Sequence, residues 1–261
     1  MAIESRSVPA ARGWAWIVEG FALFRRSPAN WLLLLLALVI VMKLLVVVPV
    51  FGIVFVLLMP VFIAGLMEGC RALERGDPLQ FGYLLMGFQR NAGQLVTIGG
   101  VSLVGNLLIM MIVLNLGGEA MSSMSKMMSQ KQAMDPQLAK DMQAAASSVG
   151  QALIVGTLVS VPLLMALWYA PLLVYFQNES ALGAMKASFI ACAKNAGPML
   201  LYGLAIILGM FLAMPFGMAL GQYDLALWLL APIVLPSLYV SYKDVFLAGT
   251  APEPNTDSVA S

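Results

Sequence analysis

The chain of 261 residues is 61% hydrophobic and 10% charged, with a formal net charge of +1 and a mean hydropathy of +0.90. A soluble domain carries roughly 25% charged residues, so this composition excludes a water-facing globular fold and makes lipid the solvent. Histidine is absent, which removes the commonest general base and metal ligand, and no basic run offers a footprint for nucleic acid.

Residues 1–12 are small and polar and read as a loose tail. From Gly13 to Arg26, the residues Trp14, Ile17, Phe21 and Phe24 recur at helical spacing, which predicts an amphipathic helix. Pro28 ends it, and Trp31 opens a first span to Val48, at the depth where tryptophan prefers to sit. Pro49 to Gly52 read as a tight turn, and Ile53 to Arg71 return as the second span. Asp77-Pro78 is a helix-start signal, so a second amphipathic helix is expected up to Arg90, with Phe81, Leu85 and Phe88 on one face.

Ala92 to Leu116 form the third span. Residues 117–147 are a polar stretch rich in Met, Ser, Gln and Lys, read as an outer loop in which Asp135-Pro136 again marks a helix start. Val149 to Phe176 form the fourth span, and Ser180 to Lys194 the third amphipathic helix, striped by Leu182, Met185, Phe189 and Cys192. Met199 to Ala219 and Leu225 to Val240 complete six spans, and 249–261 reads as a disordered tail. The long first span follows thirty residues and ends without a small-residue cleavage site, so no cleaved signal is expected.

A repeat underlies this order. Phe88-Gln89-Arg90-Asn91-Ala92-Gly93 reappears as Cys192-Ala193-Lys194-Asn195-Ala196-Gly197, and more loosely as Phe24-Arg25-Arg26-Ser27-Pro28-Ala29. The returning helices carry a second match, since Pro60 precedes Glu68, Pro171 precedes Glu179 and Pro236 precedes Asp244 by the same interval. The expected fold is an all-α polytopic membrane bundle over 13–248, six transmembrane helices in three repeats (13–76, 77–179 and 180–248) of amphipathic helix plus hairpin. Every arginine falls on one side in this arrangement, while the other holds only Lys126, Lys131 and Lys140. Positive-inside counting puts both termini in the cytoplasm, and the amphipathic helices on anionic inner-leaflet lipid, met by the basic hinge residues Arg26, Arg90 and Lys194.

Four charges call for an explanation. The acids at the ends of the returning helices either pair with nearby bases (Glu68 with Arg71 or Arg75, Glu179 with Lys186 or Lys194, Asp244 with Lys243) or form a ring lining a cation vestibule. Lys43, inside the first span, either snorkels to the outer interface or faces a cavity. Met121, Met124, Met127, Met128, Met134 and Met142 suit a soft metal, but the chain has 19 methionines and a helix lying on the bundle or bilayer explains the run as well. Cys70 and Cys192 read as reduced packing residues.

The Gly13-Trp14-x-Trp16 start, Glu19-Gly20-x-x-x-Phe24 and the closing Ser241-Tyr242-Lys243-Asp244-Val245-Phe246 resemble an uncharacterised family of six-span proteobacterial inner-membrane proteins. A looser similarity is to the membrane domain that precedes the catalytic domain of some glycerophosphodiester phosphodiesterases. The resemblance implies a fold and a bacterial inner-membrane location, and neither activity nor site. With no nucleophile–base pair, phosphate loop or metal cluster legible, no catalytic residue, metal or cofactor is expected. The function expected is a non-catalytic protein that organises membrane lipid or partner proteins; the alternative is a small transporter or channel along the repeat axis.

Overall fold

The computed structural model describes residues 4–46, 49–129, 136–219, 221–222 and 225–247. Its elements are α1 (Arg12–Phe24), α2 (Pro28–Val46), α3 (Pro49–Arg75), α4 (Tyr83–Met86), a 3₁₀ turn (Gly87–Gln89), α5 (Ala92–Ser129), α6 (Pro136–Trp168), α7 (Ala170–Gln177), α8 (Ala181–Lys194), α9 (Ala196–Ala219) and α10 (Leu225–Phe246). Among the described residues the chain is helical, with no strand. Five stretches are long and apolar enough to cross a membrane. The count is six if α1 and α2, bent by 98° at the Arg25–Ser27 break, are taken together.

The chain forms two compact units, Gly100–Met165 and the remainder. In the smaller unit the upper part of α5 and most of α6 form a hairpin. Gly156 allows the close approach, because a Cβ there would meet Val113 Cγ2 at 2.4 Å. Packing of small residues is what holds helices together in lipid, where apolar surface is not driven from its solvent. At 38 residues, α5 measures about 57 Å at 1.5 Å per residue, nearly twice the ~30 Å hydrocarbon core. The polar stretch 117–147, expected as a loop, therefore continues α5 to Ser129 and begins α6 at Pro136. Its Ala, Met, Gln and Lys content has high helix propensity. Met121, Met124 and Met127 ride on α5, and Met134 lies outside the described residues.

In the larger unit, most of the apolar stripe residues read from the sequence face outward, but Cys192, read as part of the third stripe, is buried. Trp14, Phe21, Phe81, Leu85, Phe88, Leu182 and Phe189 are all exposed. The opposite faces carry small residues and dock. On α1, Gly13 and Gly20 meet α9 and α10; a Cβ on Gly20 would lie 2.6 Å from the backbone N of Ser237. On the 3₁₀ turn, Gly87 lies so close to α3 that a Cβ would sit 2.0 Å from the Val61 carbonyl oxygen. On α8, Ala181, Ala184, Ser188 and Ala191 are buried, and Ser188 Oγ accepts from the Tyr169 N–H at 2.9 Å.

Several local expectations change. Pro49 to Gly52 are not a turn but the start of α3, consistent with proline's tolerance in a first helical turn. The second amphipathic segment does not run from Asp77 to Arg90. Residues 77–80 form no regular element, and only Tyr83–Gln89 is helical, part of it 3₁₀. Gly82 and Gly87 weaken that helix, and Leu79 is drawn into the core. The fourth span breaks at Tyr169, whose N–H donates to Ser188 Oγ, close to Pro171, which has no N–H to give to the preceding turn. Trp31 is no interfacial anchor, being fully buried where α2 turns away from α1. The tail 249–261 lies outside the described residues.

Candidate functional site: the charged end of the bundle

The hinge ends of α1, α3, α7, α8 and α10 bring together several ion pairs. At their centre is Asp244, on the last turn of α10 and only 9% exposed. Its Oδ2 accepts from Arg12 Nε at 2.6 Å and from Trp16 Nε1 at 2.9 Å, and its Oδ1 pairs with Arg6. Lys243, the partner expected from sequence proximity, points elsewhere. A helix turns about 100° per residue, so Lys243 faces α3, where it pairs with Glu74. The same carboxylate accepts from Tyr239 Oη at 3.0 Å.

The first twelve residues are therefore not loose over the described part. The Arg6 N–H donates to the Val245 carbonyl at 3.0 Å, and the Val8 N–H to Asn195 Oδ1 at 2.8 Å. Asn195 Nδ2 returns a bond to the Arg6 carbonyl at 2.9 Å. This strap joins the start of the chain to α8, α9 and α10. The sequence hid it because a short polar segment without periodicity carries no signal of what it will bind.

Glu68 lies on α3, almost fully buried, and pairs as expected with Arg71 at 2.6 Å and Arg75 at 3.7 Å. Arg71 in turn lies over the Phe176 ring, 4.9 Å from its centroid, and Phe176 stacks on Tyr242 at 5.7 Å. Where α3, α7 and α10 meet, the space is thus filled by an ion pair and aromatic rings. Glu179 does not reach Lys186 or Lys194. Its Oε2 lies over the first turn of α8, 2.7 Å from where a Gly183 Cβ would stand, and Ser180 caps the same turn through the Gly183 N–H. A carboxylate there meets the positive end of the helix dipole. The three acids thus have three separate surroundings.

The basic hinges also differ. Arg26 Nη1 donates to the Leu73 carbonyl at 2.9 Å, which also accepts from the Gly76 N–H at 3.2 Å, and so places its charge at the negative end of the α3 dipole. Arg90 lies over the Tyr175 ring at 5.7 Å, and Lys194 is exposed in the last turn of α8. Asn91, at φ 53°, donates to Val174 O and Asn178 Oδ1, both at 3.0 Å. Gln94 Oε1 accepts from the Ala181 N–H at 2.7 Å. Lys43 is exposed one turn before the end of α2.

Among the described residues no group of three His, Cys, Asp or Glu side chains is placed to hold a metal. Both cysteines are free and buried, and burial pushes the Cys192 thiol up to about 12, far from a nucleophilic thiolate.

Apolar helices of spanning length, an outward apolar stripe and a charge-locked end define an integral, polytopic helical membrane protein. Comparison with known proteins agrees. The chain is 27% identical over 250 residues to a probable inner membrane protein of Burkholderia thailandensis, covering 90% of this chain and 89% of that one. No family model matches, and no solved structure does.

Proposed function

We propose that the protein is a non-catalytic component of the bacterial inner membrane that rests its three amphipathic segments on anionic inner-leaflet lipid and so organises lipid or partner proteins. The observation that carries this is a division of faces. Small residues dock each segment to the bundle, while Trp14, Phe21, Phe81, Leu85, Phe88, Leu182 and Phe189 remain exposed beside Arg25, Arg90 and Lys194. Large apolar side chains next to bases are what an interfacial helix presents to acyl chains and headgroups. Six spans with both termini cytoplasmic accompany this reading.

Threefold repetition is part of the proposal. Each amphipathic segment packs on the returning helix of the copy before it: the 3₁₀ turn on α3, α8 on α7, and α1 on α10. The hinge polar residues follow the same cycle. Asn30 bonds Leu79 O, Gln94 bonds the start of α8, and Asn195 bonds the strap before α1. Asn30 and Gln94 hold matching places in the hinge repeat while Asn195 matches Asn91, so the three contacts link the copies in a closed cycle, as a parallel repeat about the membrane normal requires, through residues that are not all equivalent.

A conduit along that axis is disfavoured by the Glu68–Arg71–Phe176–Tyr242 packing at its charged end. The separating experiment is cation flux in proteoliposomes. The organising role predicts flux equal to that of protein-free vesicles. Flux that Glu68→Gln changes while thermal stability stays the same would establish the transporter instead.

A further inference from the structure

Between the first hairpin and the last, the larger unit holds a cleft of about 180 Å³. Its walls come from α2 (Leu35, Leu38), α3 (Phe62, Leu66), α9 (Met210) and α10 (Ala231), and no lining atom facing it is polar. It lies at the level of Pro60, Pro232 and Pro236. A ring in place of an N–H removes one regular backbone bond at each of these positions.

We propose that this cleft is a binding site for one acyl chain of a membrane phospholipid. Three considerations select that occupant. Water is excluded, since a buried water needs two to four polar partners and the walls provide none. A partner helix is excluded by size, because a cylinder about 10 Å across would fill 180 Å³ within a few ångströms of its length. A hydrocarbon chain fits: an apolar cavity of about 150 Å³ accepts the six carbons of benzene, so this one takes a comparable or slightly longer stretch of a tail. The helices that form the walls are of membrane-crossing length and hydropathy, so acyl chains are the apolar molecules at hand. The captive chain takes the place of side-chain packing between the first and last hairpins. The inference rests on the membrane-spanning reading and on no particular role for the charged end.

Two measurements test it on the full chain. Native membranes containing a phosphatidylglycerol with a photoreactive diazirine in one acyl chain are irradiated, and the labelled peptides are sequenced. Preferential labelling of Leu35, Phe62, Met210 and Ala231 is the expected result. Labelling spread evenly over the outward-facing Leu204, Phe211 and Leu212 overturns the site while leaving the membrane reading intact; no labelling anywhere overturns both. In the second, the detergent-purified protein is weighed by native mass spectrometry. One retained phospholipid per chain is expected, lost in Ala231→Trp and in Met210→Trp but kept in the outward-facing control Leu212→Trp. Absence of a retained lipid in the unaltered protein, or its equal retention in all three variants, refutes the cleft as an acyl-chain site.

Discussion

Replacing Asp244 by Asn isolates the charge that fastens the start of the chain to its end. Shape is conserved, but one oxygen that accepted from two donors becomes an amide nitrogen that donates. Hydrogen bonds to a charged group contribute about 1.5–3 kcal/mol each. Asp244 is buried, yet Arg6 and Arg12 are 46% and 34% exposed, so solvent screening reduces their share toward that of surface pairs. The Trp16 bond is buried on both sides and keeps its full weight. The sum is a loss of about 2 kcal/mol, or roughly thirtyfold in the unfolding equilibrium. Denaturant titration in mild detergent, followed by tryptophan fluorescence, measures it. Arg12→Gln completes a double-mutant cycle, in which the pair should lose less than the sum of the single losses by about 1 kcal/mol. A single-variant change within ~0.5 kcal/mol, or strict additivity, refutes the claim that Asp244 holds the strap.

Gly20→Leu should be more damaging than Asp244→Asn, because the added side chain meets the α10 backbone; a fluorescence-detected gel-filtration profile like that of the unaltered protein would contradict this. Cys70 and Cys192, both buried, should resist maleimide in the folded protein and react after denaturation, and with the Cys192 thiol pushed up to about 12 raising the pH from 7 to 9 should not restore its reaction. Reporter fusions after residue 126 should report the outer compartment and those after 76 and 184 the cytoplasm, and the opposite pattern would reverse the orientation. Glu68→Gln, which leaves Arg71 over Phe176 without its carboxylate partner, should lower the melting temperature without opening cation flux.

Much of the helical layout was legible because apolar period and proline position depend on local sequence alone. α8, α9 and the start of α10 fall within a few residues of where those signals place them. The outward stripes were legible as well, since a spacing of three and four aligns Trp14, Phe21 and their counterparts. Partnerships were legible only where they are local. Glu68 and Arg71 stand three residues apart on one helix, whereas Asp244 binds residues more than 230 positions away. Nothing within Arg6 or Arg12 announces that distance. Trp31 misled for a related reason: interfacial preference is an average over exposed tryptophans, and this one is enclosed by tertiary packing.

Cysteine accessibility in inside-out membrane vesicles tests the interfacial placement of the amphipathic segments directly. Glu19, Gln80 and Lys186 on one side, and Phe21, Leu85 and Phe189 on the other, are all exposed on the protein itself. Only lipid can make the two sets differ. Single cysteines in the first set should react with a membrane-impermeant maleimide added to inside-out vesicles, while those in the second should be protected until detergent is added. Equal reaction of both sets before detergent would contradict the placement of these helices on the membrane surface.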